Sequence, residues 1–210
     1  MDKFIVVAGN IGVGKSTLVG MLSEHMSWQP FYEPVTDNPY LSDFYKDMKA
    51  WGFHSQIYFL TRRLRIHHQL LGIAGSVIQD RSVYEDAEIF AHNLYLQDAI
   101  SDRDYLTYQD LYKVLCEFLP PPNLVIYLKA SVDTLLSRIK TRGRDYERSI
   151  SPEYLSQLNI LYSQWVSTFN LCPVLTVPSD DLDFVSKPSH LSLIMEKVND
   201  MLTGKEQVSF

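Results

Sequence analysis

Apolar residues along the chain gather into short, β-branched runs with few polar interruptions, at residues 4–8, 77–80, 124–128 and 174–177, with a weaker run at 29–32. Runs of this kind suit strands of a parallel sheet covered on both faces. Between them lie longer amphipathic stretches that predict helices over residues 15–26, 51–71, 85–95, 105–118, 131–140, 152–170 and 188–202. Ser131 offers a cap to one of these, and Pro152 opens another in the first turn, where its missing N–H costs nothing. Strand and helix therefore alternate, which predicts an α/β three-layer fold with helices on both faces of a parallel sheet. Ligands of such sheets sit beyond the carboxyl ends of the strands.

No repeat, low-complexity segment or Gly/Ser linker divides the 210 residues, so residues 1–210 are expected to form a single domain. The net charge of −6 disfavours nucleic acid and anionic membrane as partners. No run of about 18 apolar residues occurs, which argues against a membrane span. The two cysteines, Cys116 and Cys172, are far apart, which fits a reducing cytoplasmic compartment better than a disulfide framework or a zinc site.

The strongest chemical signal follows the first predicted strand. Gly9-Asn10-Ile11-Gly12-Val13-Gly14-Lys15-Ser16-Thr17 has the spacing of a phosphate-binding P-loop between a strand and a helix. Glycines let the backbone curl so that its N–H groups face phosphate oxygens at a helix N-terminus. Lys15 is expected to reach the β- and γ-phosphates of ATP, and the Ser16 hydroxyl to ligate Mg²⁺.

A phosphate loop does not say what receives the phosphate. The guanine-reading NKxD segment of a GTPase is absent. The third strand ends in Asp80-Arg81-Ser82, an acid followed by a base, where a motor ATPase would usually place a carboxylate pair. An arginine there suits transfer to a bound alcohol. Arg138, Arg142, Arg144 and Arg148 flank Gly143. Such a cluster either closes over a transferring phosphoryl group or forms a solvated basic helix end favoured by the helix dipole.

With these segments in place, the sequence resembles the deoxynucleoside kinase family of the deoxycytidine, deoxyguanosine and deoxyadenosine type. The resemblance is carried by residues 9–17, Glu33-Pro34-Val35, the stretch from Tyr45 to Gln56, Asp80-Arg81-Ser82, and the stretch from Arg138 to Glu147. It implies a P-loop kinase fold with an arginine-rich lid and Mg-ATP as donor. It also implies that Glu33 is the general base for a 5′-hydroxyl, that Arg81 orients that carboxylate, and that Asp80 holds magnesium through a water. Tyr45 and Glu147 match positions that bind the sugar 3′-hydroxyl, and Arg63 with Asp86 matches a pair at the base edge. Phe90 falls where relatives stack a ring on the base, with a core phenylalanine as the competing reading.

Gln56 and Arg63 are seven residues apart and share a helix face. The glutamine amide offers one donor and one acceptor, as the edge of adenine or cytosine requires. Ser55 and Asn38 stand where many relatives carry aromatics, which predicts a roomier pocket and favours deoxyadenosine over deoxycytidine or deoxyguanosine. Two rival readings remain open on the sequence. A nucleoside monophosphate kinase would share the phosphate loop and the arginines, and a non-catalytic sensor would bind nucleotide without transfer. The resemblance further implies a homodimer, and the predicted helices at 51–71 and 85–95 carry aromatics for its interface.

Overall fold

The computed structural model describes residues 1–32, 38–204 and 210. Five strands, β1 (Phe4–Gly9), β2 (Gln29–Phe31), β3 (Val77–Asp80), β4 (Leu124–Lys129) and β5 (Val174–Pro178), form one sheet in the order β2-β3-β1-β4-β5. All four pairings are parallel. The sheet is therefore bound to need crossovers, and helices supply them: α1 (Lys15–Met26), α2 (Leu41–Lys46), α3 (Met48–Leu71), α4 (Val83–Glu85), α5 (His92–Leu96), α6 (Asp102–Cys116), α7 (Val132–Arg142), α8 (Pro152–Thr168) and α9 (Pro188–Leu202).

Every residue of β1 is buried, as are all of β3 and the first five of β4. These central strands are flanked on both faces, which is why they read as continuous apolar runs rather than alternating ones. α1 and α9 lie against the sheet, while α3 and α8 each set a ring against the face that carries Phe4 and Tyr127. Phe4 meets His67 of α3 edge to face, and Tyr127 stacks on Tyr162 of α8 at 5.6 Å.

The expected strands are all present, and α1 and α9 begin and end where the pattern places them. α2 was not foreseen. The expected helix at 85–95 is a continuous helical stretch in which Asp86–Ala91 widens to π geometry between α4 and α5. Its residues are buried within the chain from Val83 to Glu85 and again at Asp86, Ala87, Ile89, Phe90 and Ala91. Of the aromatics expected there for a dimer, Phe90 is internal core, while Tyr95 is half-buried. Exposed apolar residues gather on α6 and just past it, at Leu106, Leu111, Val114 and Phe118.

Candidate active site

The carboxyl ends of β1 and β3 lie side by side, with Val7 paired to Asp80. The phosphate loop leaves β1 at Gly9, whose φ of 145° lies outside the range of most side chains, and a Cβ there would stand 2.7 Å from the Leu128 carbonyl oxygen. Gly12 is equally constrained: a Cβ would stand 2.7 Å from Ile139, so α7 rests directly on the loop. Asn10 is buried, and its amide donates to the Leu155 carbonyl and to Asn159. Its side chain thus ties the loop to α8 and leaves only its backbone for a phosphate. Lys15 is also buried and donates to the carbonyls of Gly9 at 2.9 Å and Asn10 at 3.0 Å.

Two clefts open at this point. The first, of about 810 Å³ with the solvent at its open mouth, is walled by Leu41, Phe44, Tyr45, Gln56, Phe59, Asp80, Arg81, Asp86, Phe90, Glu147 and Tyr154. The second, of about 1260 Å³, runs along the phosphate loop past Thr17, Arg138 and Thr141 to residues 182–185. Gly12, Lys15, Ser16, Arg142 and Arg144 line both. The groups that suit phosphate are therefore the shared wall between a small-molecule pocket and a groove.

Ser16 donates a short hydrogen bond to Asp80 Oδ2. The other oxygen, Oδ1, is buried and has no hydrogen-bond partner among the described residues. No cluster of three or more His, Cys, Asp or Glu among the described residues could hold a metal by itself. A hydroxyl beside a carboxylate with a spare oxygen nevertheless fits Mg²⁺, which keeps most of its waters and takes few protein ligands.

Arg81 has a φ of 65°, unusual for a residue with a side chain, and its guanidinium lies 4.2 Å from the centre of the Phe90 ring. Phe90 is thus both a wall of the first cleft and a support for Arg81, so one of its faces is already used. Arg63 and Asp86 form a buried pair, with Nε to Oδ2 at 3.0 Å and Nη2 to Oδ1 at 3.3 Å. Arg63 also donates to the Asp80 carbonyl at 3.0 Å. Only Asp86 of this pair lines the cleft; Arg63 sits behind it and fixes both Asp86 and the end of β3.

Gln56 is buried on the cleft wall with Oε1 unpartnered among the described residues, as expected of an amide held ready for a ligand. Tyr45 stacks against Tyr146 at 6.2 Å. Burial, followed by the neighbouring Tyr154 and Glu147, raises its phenol well above the usual range, so it is a proton donor at neutral pH. Glu147 accepts from Arg142 at 2.7 Å and from Arg144 at 3.4 Å. These three share a turn because Gly143, at φ 69°, ends α7 and swings the chain back through Asp145–Glu147.

Arg138 donates to the carbonyls of Val13 and Ser179, both at 2.8 Å. Its position therefore braces the phosphate loop against the turn after β5 more than it frees a charge for phosphate. Arg148 pairs with Asp145, and both side chains are highly exposed, outside either cleft. Asn38 donates to Ser55 at 3.1 Å; both are buried, behind the residues that line the first cleft. Its apolar wall is made by Leu41, Phe44 and Phe59. Glu33 lies outside the described residues, together with residues 34–37.

Glu85 went unnoticed in the sequence, although Ser82 three residues before it has the spacing of a capping box, which the structure forms. Leu41 and Phe44 were missed with α2. Phe184, beside the phosphate loop, carries no sequence signal that could have found it.

The sequence profile of the deoxynucleoside kinase family matches residues 5–203. A deoxyadenosine/deoxycytidine kinase of Bacillus subtilis is 36% identical over 208 residues, covering 98% of this chain and 96% of the relative. A deoxyguanosine kinase of Lactobacillus acidophilus is 35% identical over 206 residues, covering 94% of this chain and 90% of the relative. Among solved structures, a deoxyadenosine kinase from M. mycoides with bound dATP superposes with a TM-score of 0.82 at 34% identity, covering 94% of this chain and 99% of that one.

Proposed function

The chain belongs to the deoxynucleoside kinase family, and we propose that its joined clefts pass the γ-phosphate of ATP to the 5′-hydroxyl of a deoxyribonucleoside, deoxyadenosine first, in nucleotide salvage. The observation that carries this reading is the wall common to both clefts, where Lys15, Ser16, Arg142 and Arg144 face a bound donor from one side and an acceptor from the other. Residues 1–210 act as one domain in this account.

The donor's phosphates lie along the backbone N–H groups of the phosphate loop, with Lys15 turning from the Gly9 and Asn10 carbonyls toward them. Its base lies in the groove beside Arg138 and Phe184. Ser16 and Asp80 would hold magnesium, which would supply positive charge to offset that of the donor's phosphates. Glu33, two residues past the end of β2, takes the 5′-hydroxyl proton as that oxygen bonds to the γ-phosphorus and ADP leaves. Arg81 neutralises charge at the acceptor side, and Arg142 and Arg144 form the lid over the transferring group.

In the acceptor cleft, Tyr45 and Glu147 bind the 3′-hydroxyl. Gln56 reads an exocyclic amino group through its spare Oε1, and Phe90 with Phe59 encloses the ring. An amino group is common to adenine and cytosine, and relatives are named for deoxyadenosine and deoxycytidine as well as for deoxyguanosine. ATP consumption measured against the four deoxynucleosides and their ribose analogues tests this: deoxyadenosine should lead, and thymidine as best acceptor would refute the base reading.

The separate free thiols Cys116 and Cys172 fit a cytoplasmic location. We assign the exposed stripe Leu106, Leu111, Val114 and Phe118 to a homodimer interface. Light scattering at micromolar concentration should give twice the chain mass; the mass of one chain would contradict it.

A further inference from the structure

Glu85 has no role in the reaction as described, yet it is completely buried between the two halves of the site. Its carboxylate gathers four donors. Oε1 accepts from the Gly9 backbone N–H at 3.1 Å and stands 2.8 Å from the Tyr162 hydroxyl, whose single proton it shares with the Gly9 carbonyl. Oε2 accepts from the Ser82 backbone N–H at 2.9 Å and the Ser82 hydroxyl at 3.3 Å. A helix cap accounts for the Ser82 contacts alone. It does not account for Oε1, which reaches out of the cap to the entry of the phosphate loop.

Each end of this bridge controls a group beside the reacting atoms. Gly9, whose N–H is held by Glu85, presents its carbonyl to Lys15 at 2.9 Å and to Tyr162 at 2.8 Å. The peptide's orientation is thus fixed from both sides. Arg81 sits in a left-handed conformation that a Cβ disfavours. It is held there by its own N–H, which donates to the Val7 carbonyl at 3.0 Å, and by the next N–H, which donates to Glu85. Burial pushes the Glu85 carboxyl up, while the nearby Arg81 and Lys15 charges and its backbone bonds oppose that. A carboxylate kept in so dry a place needs all its donors, which makes the bridge stiff.

We infer that Glu85 is a positioning residue for phosphoryl transfer: through Gly9 and Ser82 it sets where Lys15 stands relative to Arg81, and hence how donor phosphate meets acceptor oxygen. The inference rests on the reading of the clefts given above. It is tested by Glu85→Gln and Tyr162→Phe in the full chain, measuring kcat, both KM values, Tm, and binding of a fluorescent methylanthraniloyl-ATP. The amide retains one acceptor oxygen but turns an NH₂ toward donors, so one anchor is lost while side-chain volume is kept.

For Glu85→Gln, kcat should fall about 10- to 100-fold, since misplacement by an ångström has that scale of effect. The KM values and the affinity for the ATP analogue should stay within about threefold. Tyr162→Phe removes one donor to the same oxygen from outside both clefts and should lower kcat about threefold or more. A Glu85→Gln variant with lower Tm but unchanged kcat would make Glu85 merely structural and overturn the inference. Should Glu85→Gln fail to fold, an unchanged kcat in Tyr162→Phe overturns it equally. If the unaltered chain transfers phosphate to no deoxynucleoside, the functional reading falls and this one with it; an active parent beside an equally active Gln variant removes this one alone.

Discussion

Replacing Asp86 by alanine takes one partner from a pair whose side chains are only 2% and 4% exposed. Two charge-assisted hydrogen bonds are lost, at 3.0 and 3.3 Å. Removing one member of a buried pair usually costs about 3–5 kcal/mol, because the other charge stays behind. Arg63 keeps its bond to the Asp80 carbonyl, so the lower end applies, about 3 kcal/mol. For a chain of this size each kcal/mol lowers Tm by about 2–4 °C, giving a drop of roughly 6–12 °C by calorimetry. Asp86→Asn keeps one acceptor oxygen and should lose about half as much. The double variant Arg63→Met with Asp86→Leu should recover most of the loss, since an apolar pair of similar volume avoids the desolvation cost altogether. A Tm change below about 2 °C for Asp86→Ala would refute the claim that this pair joins α3 to the Asp86–Ala91 turn in a dry environment.

Other consequences follow from the same geometry. Glu33→Gln should lower kcat by about 10²–10⁴ while binding of the ATP analogue persists, and unchanged turnover would remove Glu33 from the mechanism. Lys15→Ala should weaken both ATP binding and turnover, read by the same fluorescence titration and by ADP release. Burial lowers His67 from 6.5 to about 4. Its neutral form contributes stability that is complete above pH 6.5 and is lost as pH falls toward 4, about 2 kcal/mol by pH 5. Urea midpoints across that range should therefore slope less in His67→Leu than in the parent; parallel curves would show that His67 is not responsible.

The sequence makes the sheet legible because parallel strands covered on both faces leave unbroken apolar runs, and those of β1 and β4 are buried almost throughout. The phosphate loop is equally plain, since Gly9 and Gly12 occupy backbone conformations and contacts that tolerate little else. α2 is not legible because its six residues bury only Leu41 and Phe44, too few to establish a period. The π-widened turn leaves no local mark; it shows only in the buried Asp86, Ile89 and Phe90 that it turns inward. The bracing bonds of Arg138 and the bond from Asn38 to Ser55 are not legible either. Residue type announces chemistry, but which way a side chain points depends on backbone carbonyls and partners far along the chain, such as Val13 and Ser179 for Arg138. Glu85 is the converse: its cap to Ser82 is local and readable, whereas its bond to Gly9 exists only once the sheet is assembled.

The most direct test uses γ-³²P-labelled ATP with deoxyadenosine in one reaction and its 5′-monophosphate in another, the products being separated by chromatography. The account predicts label in the nucleoside 5′-monophosphate from the first reaction and little in the diphosphate from the second. Label passing to the monophosphate acceptor while the nucleoside stays unlabelled would contradict it.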